Sequence, residues 1–332
     1  MRALLLREQK LVEEGPLSFA DLPIPRPGPG EILLRVLACG VCHTDLHIAE
    51  GDLPLRKSPV VLGHQVVGEV VESGLAVTRF RPGDRVGLAW LAWACGRCPF
   101  CLRGQENLCP QAHFTGYTVD GGFAEYTRAC ADFAYPLSGN FPPEKWAPLL
   151  CAGIIGYRAL RLSGVEQGGR LGLYGFGASA HLVLQVARHW NCEVYVFTRS
   201  AEHKALAWEL GARWVGESRA RPPLELDAAI IFAPAGWIVP EALKSTRPGG
   251  TVVCAGIHMT PVPEMPYALL YGERTLRTVT NATRQDGEEF LALAQRIPLD
   301  PAVEVRSWEE ANAVLLALKR GEIRGAAVLK VS

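Results

Sequence analysis

The chain has 332 residues, about twice the length of a typical domain, so two domains are expected. Lysine and arginine number 34, as do aspartate and glutamate, and the net charge is zero. With no charge surplus and no basic run, nucleic acid and anionic membranes are not expected as partners. No apolar run approaches the roughly 20 residues that span a bilayer, and the apolar core of the first ten residues is too short for a signal peptide. These features predict a cytoplasmic protein.

The first part of the chain is rich in strand and turn patterns. The runs 31–40 and 65–74 are apolar, β-branched and ended by glycine, which is typical of strands. Proline and glycine in 25–30 and 81–86 indicate turns. Few stretches keep a 3.6-residue period for long, so this part is predicted to be mainly β.

From about residue 151 strands alternate with helices. Residues 169–200 predict a strand, a glycine turn, a helix and a second strand. A helix follows with Ser200 as its N-cap, and the runs 226–234 and 250–256 predict two further strands separated by a helix. Alternation of this kind predicts a parallel sheet covered by helices on both faces, an α/β fold.

The end of the chain predicts one more helix and a last strand. Ser307 and Glu310 have the spacing of a capping box, and Gly321 is placed to end the helix. Residues 326–332 then have the composition of a strand.

A glycine turn inside this α/β pattern predicts a dinucleotide site. The sequence from Gly175 to Ala180 matches GxGxxA, follows a strand and opens a helix, which makes the match credible. The glycines would let the backbone approach a pyrophosphate at the helix N-terminus. The expected coenzyme-binding residues here are Gly175, Phe176, Gly177, Ala178 and Ser179. The alternative is a glycine turn that binds no ligand.

The end of the second strand bears on the choice of coenzyme. NAD sites usually have an acidic residue there, whereas this chain has Thr198, Arg199 and Ser200. No carboxylate in this run would repel a 2′-phosphate, and Arg199 could pair with one. NADP is therefore predicted over NAD. The alternative for Arg199 is a solvated surface arginine.

The cysteines indicate a metal rather than disulfides. Of ten cysteines, four fall close together, and clustering in a reducing compartment is typical of metal sites. Four thiolates close a tetrahedral site, which makes structural zinc the prediction; an iron–sulfur cluster and chance burial are the alternatives. The four are Cys95, Cys98, Cys101 and Cys109. Cys39, Cys130, Cys192 and Cys254 have no assigned role, and apolar packing is expected for them.

Further motifs carry a family resemblance over nearly the whole chain. These are GVCHTDLH at 40–47, the Gly63-His64 pair, PGDRV at 82–86, the four-cysteine lobe, Cys151 in LLCAG and the GxGxxA turn, in that order. In them the chain resembles the zinc-dependent alcohol dehydrogenases of the medium-chain dehydrogenase/reductase superfamily, especially the bacterial and yeast-like members.

The resemblance implies the ligands of a catalytic zinc. Cys42, His64 and Cys151 would bind the metal and leave a fourth position open, and Asp45 would orient the ligand histidine. Taken alone, Cys151 would be a core cysteine and His64 a loop histidine. Gln65 stands where the family usually has glutamate, and it cannot lend the zinc negative charge.

The resemblance also implies a proton relay and a substrate pocket. Thr44 and His47 would pass a proton from the alcohol through the coenzyme ribose to solvent, and His43 would face the pyrophosphate. Leu53 and Trp90 would line an apolar pocket for a small alcohol or aldehyde, with Trp93 as an alternative to Trp90. Surface exposure of the histidines and core packing of the tryptophans are the alternatives.

The implied architecture is a GroES-like β-barrel catalytic domain and a Rossmann domain. The barrel would comprise residues 1–150 with 281–332 returning to it, the Rossmann domain would comprise 151–280, and the active site would lie in the cleft between them. The implied reaction interconverts a small alcohol and its aldehyde or ketone by hydride transfer with NAD(P), using two zinc ions per chain in a homotetramer or homodimer. The alternatives are a polyol or sugar dehydrogenase, a zinc-free quinone reductase and a non-catalytic nucleotide-binding zinc protein.

Overall fold

The structure is a computed structural model that describes residues 1–139 and 141–331. Its contacts divide the chain into two compact units. The first unit comprises Met1–Cys151, Thr283–Glu289 and Ala302–Ser332, and the second comprises Ala152–Ala282 and Phe290–Pro301. The C-terminal segment expected to return as one piece is therefore divided, because Phe290–Pro301 packs with the second unit.

The first unit is mainly β-structure. Its strands are β1 (Arg2–Leu6), β2 (Leu17–Asp21), β3 (Glu31–Val41), β4 (Val60–Val61), β5 (Gln65–Ser73), β6 (Arg85–Leu88), β7 (Leu91–Trp93), β8 (His113–Phe114), β9 (Tyr126–Cys130), β10 (Ala134–Pro136), β17 (Val303–Ser307) and β18 (Ala326–Lys330). Its helices are α1 (His43–Glu50), α2 (Pro143–Trp146) and α8 (Ala311–Arg320). The first turns of α7 (Arg284–Ala294) also belong to this unit.

A seven-stranded sheet forms the centre of this unit. Its order is β10-β6-β5-β3-β18-β17, and β9 also pairs with β3. Most residues of β3 are buried, because the sheet and the elements around it enclose one apolar core. A second sheet, β2-β1-β4, and the hairpin β7-β8 complete the described strands of the unit. This mainly β organisation confirms the barrel-type domain predicted for the first part of the chain.

The second unit is an α/β sandwich. Its strands are β11 (Arg170–Tyr174), β12 (Glu193–Phe197), β13 (Trp214–Gly216), β14 (Leu226–Ile231), β15 (Thr246–Cys254) and β16 (Thr275–Thr278). Its helices are α3 (Ala152–Ser163), α4 (Ala178–His189), α5 (Ala201–Glu209), α6 (Ile238–Ser245) and the last turns of α7.

The strand order of this unit is that of a Rossmann fold. All six strands are parallel and the order is β13-β12-β11-β14-β15-β16. Numbered within the unit this is 3-2-1-4-5-6, whose order reverses between the first and fourth strands, at the point where dinucleotides bind. The predicted doubly wound sheet is confirmed.

Most local predictions agree with the structure, and the differences have simple causes. Ser200 caps α5 by accepting a hydrogen bond from the His203 backbone N–H at 3.3 Å. The Ser307 capping box forms, but it opens a short 3-10 turn and α8 begins only at Ala311. β15 begins four residues earlier than the predicted 250, at Thr246. The final strand ends at Lys330, and Ser332 lies outside the described residues.

Candidate active site

Cys42, His64 and Cys151 come together in the first unit. Cys42 precedes α1, His64 lies in the turn before β5, and Cys151 is the last residue before α3. One ligand atom from each lies within 4.8 Å of the other two. His64 is fully buried, and its Nε2 has no hydrogen-bond partner among the described residues. A buried imidazole nitrogen facing two thiols is a donor set that fits a zinc ion.

Asp45 connects two of these residues. Its carboxylate accepts hydrogen bonds from the backbone N–H of Cys42 at 2.9 Å and from that of Gly63 at 3.1 Å. Oδ1 also lies 3.3 Å from His64 Nδ1, a close electrostatic contact that lacks hydrogen-bond geometry. Through these contacts the carboxylate of Asp45, which is fully buried, connects the start of α1 to the segment that carries His64.

The three ligand groups influence one another's protonation. A hydrogen bond from the Cys151 thiol holds the pKa of Cys42 well below its usual value, and the same bond raises the pKa of Cys151. Burial alone would lower the pKa of His64, but Asp45 and Cys42 outweigh it and raise this pKa to about 10. Without metal the trio therefore retains protons that zinc would displace on binding.

The four clustered cysteines form a separate lobe. The ligand atoms of Cys95, Cys98, Cys101 and Cys109 all lie within 4.8 Å of one another. The Sγ atoms of Cys98 and Cys101 are 3.5 Å apart, close to the roughly 3.8 Å that separates two thiolates on tetrahedral zinc. The backbone N–H of Arg97 stabilises the Cys95 thiolate and lowers its pKa to about 6. Four thiols closing a site suit a structural metal.

Thr44 and His47 lie on α1 beside the ligand trio. Thr44 Oγ1 is 3.7 Å from Cys42 Sγ, and both Thr44 and His47 are buried. His47 Nδ1 lies 2.8 Å from Asp52 Oδ2. His43 is exposed, with its ring centroid 6.3 Å from that of His47. The helix thus carries a buried hydroxyl, a buried imidazole and an exposed imidazole close to the ligand trio.

Trp90 forms an aromatic wall next to His64. The two rings make an edge contact at 5.1 Å, and Trp90 stacks on Phe114 at 5.1 Å and Tyr117 at 5.6 Å. Trp93, the alternative candidate, packs instead against His113 at 5.4 Å, so Trp90 is the tryptophan at the ligand trio. The other predicted pocket residue, Leu53, is partly buried against the core of the unit.

The glycine turn has the geometry that a dinucleotide needs. Gly175 has φ +86°, and a Cβ there would lie 2.9 Å from the backbone nitrogen of Ala233. At Gly177, by contrast, a Cβ would have no atom within 4 Å apart from those of the adjacent residues in the chain. Gly177 also precedes α4, whose first N–H groups attract anions. The turn is therefore tight on one side and open at the helix N-terminus, which fits a pyrophosphate.

The remaining coenzyme candidates of the glycine turn and of the end of β12 lie in the second unit. Phe176 is buried, whereas Ala178 and Ser179 are partly exposed in the first turn of α4. Thr198 directly follows β12 and is buried, while Arg199 is exposed. Ser200 is engaged as the N-cap of α5.

Comparison with known proteins places the chain in a family. Residues 28–139 match the family model described as alcohol dehydrogenase GroES-like domain, and residues 180–296 match zinc-binding dehydrogenase. Over 100% of its length the chain is 46% identical to the probable alcohol dehydrogenase AdhA of Mycobacterium tuberculosis (strain CDC 1551 / Oshkosh), with 97% of that protein covered. The chain belongs to the zinc-type alcohol dehydrogenases.

Two further relatives agree. An alcohol dehydrogenase of Geobacillus stearothermophilus is 37% identical over 100% of this chain and 99% of its own length. The acetophenone reductase of Geotrichum candidum NBRC 4597, solved in complex with NAD, superposes with a TM-score of 0.90 at 26% identity, covering 99% of this chain and 97% of the reductase. As a zinc-type alcohol dehydrogenase, the chain interconverts an alcohol and its aldehyde or ketone with a nicotinamide coenzyme.

Some residues of this alcohol dehydrogenase site escape the sequence patterns. Asp52, Phe114 and Tyr117 contact His47 or Trp90, and no motif singles them out.

Among the described residues no helix has both the length and the apolar character needed to cross a membrane.

Proposed function

We propose that this alcohol dehydrogenase holds a catalytic zinc at Cys42, His64 and Cys151. The observation that carries the proposal is the buried His64 Nε2, which faces two thiols and has no hydrogen-bond partner among the described residues. Three protein ligands leave a fourth position, as catalytic zinc sites require. A second, structural zinc is proposed at the four-cysteine lobe, giving two per chain.

We propose that the nicotinamide coenzyme binds the second unit through the glycine turn. The open position at Gly177 and the start of α4 support the pyrophosphate site. NADP is proposed over NAD because Thr198 takes the usual acidic position and Arg199 is exposed to meet a 2′-phosphate. The two units are accordingly proposed as the catalytic and coenzyme-binding domains.

The proposed substrates are small primary or secondary alcohols and the corresponding aldehydes or ketones. Trp90 offers an apolar face next to His64, and its stacking on Phe114 and Tyr117 limits its movement. A fixed apolar wall favours an alkyl group and excludes water from it. Leu53 is proposed as a second wall of this pocket.

When bound, zinc supplies a Lewis acid for the substrate oxygen and the nicotinamide ring exchanges hydride with the substrate carbon. The protein orients these groups and moves the proton. Asp45 holds His64 in place, and the Thr44 hydroxyl accepts the alcohol proton at Oγ1 while passing on its own. His47 takes up a proton at Nε2 and releases it to solvent. His43 is proposed to face the pyrophosphate.

We also propose a cytoplasmic homotetramer or homodimer, with an activity of EC 1.1.1.2 if NADP is the coenzyme and of EC 1.1.1.1 if NAD is. None of the ten cysteines, all of them among the described residues, is paired in a disulfide, which fits a reducing compartment. Gel filtration with light scattering measures the number of subunits directly.

The proposal is tested by counting zinc and measuring turnover on the same full-length protein. Two zinc ions per chain, with oxidation of short alcohols by NADP faster than by NAD, are expected. Cys151→Ala is expected to reduce the count to one and abolish turnover, whereas Cys254→Ala, a buried cysteine of the second unit, keeps both. Retained turnover in Cys151→Ala would remove Cys151 from the catalytic site.

A further inference from the structure

Tyr117 connects two parts of the first unit that the proposed substrate pocket needs together. The residue is 8% exposed, and its ring stacks on Trp90 with the centroids 5.6 Å apart and the planes 20° apart. At the other end of the same side chain, the hydroxyl donates a hydrogen bond to the Pro54 carbonyl at 2.8 Å. One tyrosine therefore contacts both the aromatic wall beside His64 and the segment that carries Leu53.

The turn that carries Tyr117 packs tightly against the segment of His64. The Phe114 carbonyl accepts a hydrogen bond from the Tyr117 backbone N–H at 3.3 Å. Gly116 has φ +71°, and a Cβ there would lie 2.9 Å from the backbone nitrogen of Gly63. The turn therefore approaches the backbone next to a proposed zinc ligand more closely than a residue with a side chain would allow. This close approach leaves Tyr117 little freedom to shift.

The segment of Leu53 and Pro54 is attached to other parts of the unit as well. The Leu53 backbone N–H donates to the His47 carbonyl at 3.1 Å, and Gln9 Nε2 donates to the Leu53 carbonyl at 2.7 Å. These bonds attach the segment to α1 and to the N-terminal part of the chain, whereas the Tyr117 hydroxyl attaches it to the aromatic wall. Because proline has no backbone N–H, its carbonyl is the one backbone group through which Pro54 can be held by a hydrogen bond.

We propose that Tyr117 sets the distance between two walls of the substrate pocket and thereby its selectivity for the size of the alcohol. The ring of Tyr117 locates Trp90 and the hydroxyl locates the segment of Leu53, so neither wall moves away without losing a contact to the same side chain. Tyrosine suits this role because it combines an apolar ring with a polar end. Tyr117 is thus a positioning residue that acts through Trp90 and Leu53. The inference rests on the proposed pocket.

The first measurement is the size selectivity of Tyr117→Phe, which removes only the hydroxyl. The ratio of kcat/KM for ethanol to that for isobutanol is expected to fall about fivefold, in line with the net contribution of one hydrogen bond. The change should lie mainly in KM, because a loosened wall binds the small alcohol less well and admits the branched one, while the zinc ligands stay in place.

Tyr195→Phe is the matched control for this substitution. It removes the hydroxyl of another buried tyrosine, which bonds to Glu193 at 3.1 Å in the second unit. The selectivity ratio should stay at the wild-type value. Equal ratios in Tyr117→Phe and the wild type would overturn the proposal.

The second measurement is hydrogen–deuterium exchange of the zinc-loaded full-length protein, followed by mass spectrometry, and it needs no turnover. The Leu53 backbone N–H is bonded to the His47 carbonyl, so its exchange reports how firmly the segment is held. Tyr117→Phe is expected to speed exchange in the peptide that covers residues 51–56, and Tyr195→Phe is not. An unchanged rate in Tyr117→Phe would mean that the hydroxyl does not restrain the segment, which also overturns the proposal.

A double-mutant cycle shows whether Tyr117 acts through Leu53. In the Leu53→Ala background, Tyr117→Phe should change the selectivity ratio no further, because the wall that the hydroxyl holds has already been removed. An equal fall with and without Leu53 would mean that Tyr117 acts elsewhere, and this result contradicts the inference.

Failure of the pocket itself has a different signature. If Leu53→Ala and Trp90→Ala both keep the wild-type ratio, the proposed pocket is wrong and the inference is rejected with it. If these two substitutions change the ratio and Tyr117→Phe does not, the pocket stands and only the role of Tyr117 is rejected. Zinc content and Tm of each variant show whether the fold is intact.

Discussion

Glu106 and Arg284, separated by 178 positions in the chain, form a two-pronged ion pair inside the first unit. Arg284 Nε and its backbone N–H both donate to Glu106 Oε1 at 2.9 Å, and Nη2 reaches Oε2 at 3.4 Å. The guanidinium also lies over the Phe133 ring, 4.5 Å from its centre. Because Glu106 lies between Cys101 and Cys109, the pair fastens the four-cysteine lobe to the first turn of α7.

Arg284→Met should loosen this lobe. The Glu106 side chain is only 12% exposed, so loss of the guanidinium leaves a nearly buried carboxylate with its strongest partner gone. We expect the free energy of unfolding to fall by about 2 kcal/mol. Zinc should also leave the four-cysteine lobe faster in a chelator assay, followed with a zinc-sensitive dye.

Arg128→Met is the matched control for that prediction. Arg128 pairs with Glu31 at 3.2 Å, but the two side chains are 56% and 32% exposed. An exposed pair contributes at most about 1 kcal/mol, so the effect should be smaller and zinc release unchanged. Equal effects of the two substitutions would show that the Glu106 pair does not anchor the lobe.

Asp45→Ala should weaken the catalytic zinc site. The substitution leaves the backbone N–H groups of Cys42 and Gly63 without their acceptor and removes the carboxylate beside His64. Loss of an outer partner of a metal ligand commonly lowers metal affinity by about 10–100-fold. Competition with a chelator measures this affinity. Asp45→Asn keeps one acceptor oxygen, so its zinc affinity should lie between those of the wild type and Asp45→Ala. If Asp45→Asn binds zinc as poorly as Asp45→Ala, the charge of Asp45 rather than its hydrogen bonds is decisive.

The sequence predicts the ligand clusters and the second unit well, for physical reasons. Few side chains bind zinc, and the four-cysteine lobe has its ligands close together in the chain, so its composition is distinctive. Cys42, His64 and Cys151 are far apart, and only the resemblance connects them; the structure brings their ligand atoms within 4.8 Å. The parallel sheet follows from the alternation of strands and helices.

Other features leave no local pattern. In the sequence, Glu106 and Arg284 resemble ordinary surface charges. In the structure, Glu106 is nearly buried and pairs with Arg284, which lies 178 positions away in the chain. Asp52 follows a glycine that ends a helix, which is common on protein surfaces. The division of α7 between the two units is also set by distant packing, and an uninterrupted helical pattern cannot reveal it.

Arg199→Asp should shift coenzyme preference from NADP toward NAD. The exposed guanidinium follows Thr198 at the end of β12, and an acidic side chain there would repel a 2′-phosphate and accept a hydrogen bond from a ribose hydroxyl. The ratio of kcat/KM for NADP to that for NAD is expected to fall at least tenfold. Unchanged kinetics with both coenzymes would reject the role of Arg199.

Glu202→Gln should act in the opposite direction. Ser200, which follows Arg199, donates a hydrogen bond from Oγ to the Glu202 carboxylate at 2.7 Å. The negative charge of Glu202 therefore lies close to the proposed site of the 2′-phosphate. Removing this charge should raise the preference for NADP, by about threefold for an exposed, screened carboxylate. Glu209→Gln, farther along α5, is the control and should leave the ratio unchanged.

Trp90→Ala should widen the range of alcohols oxidised. The ring contacts His64 at 5.1 Å, so its removal opens space next to the ligand trio. We expect kcat/KM to rise for branched or aromatic alcohols relative to ethanol, measured over a series of increasing size. Trp93→Ala serves as the control, because that ring packs against His113. An identical profile in the two variants would show that Trp90 does not limit the pocket.

His181 should make the second unit less stable in mild acid. It is fully buried in α4, with Nδ1 3.2 Å from the Gly177 carbonyl, and burial lowers its pKa from 6.5 to about 4. Below pH 6.5 the His181 imidazole is protonated in the unfolded chain, whereas in the folded chain it stays neutral until about pH 4. The free energy of unfolding therefore falls as the pH drops through this interval. The loss should approach about 3 kcal/mol near pH 4. Comparing Tm at pH 7 and pH 5 tests this, with a smaller drop expected in His181→Asn than in the wild type. His189→Asn, at the exposed end of the same helix, should keep the wild-type drop; an equal drop in all three proteins would assign the acid sensitivity to other groups.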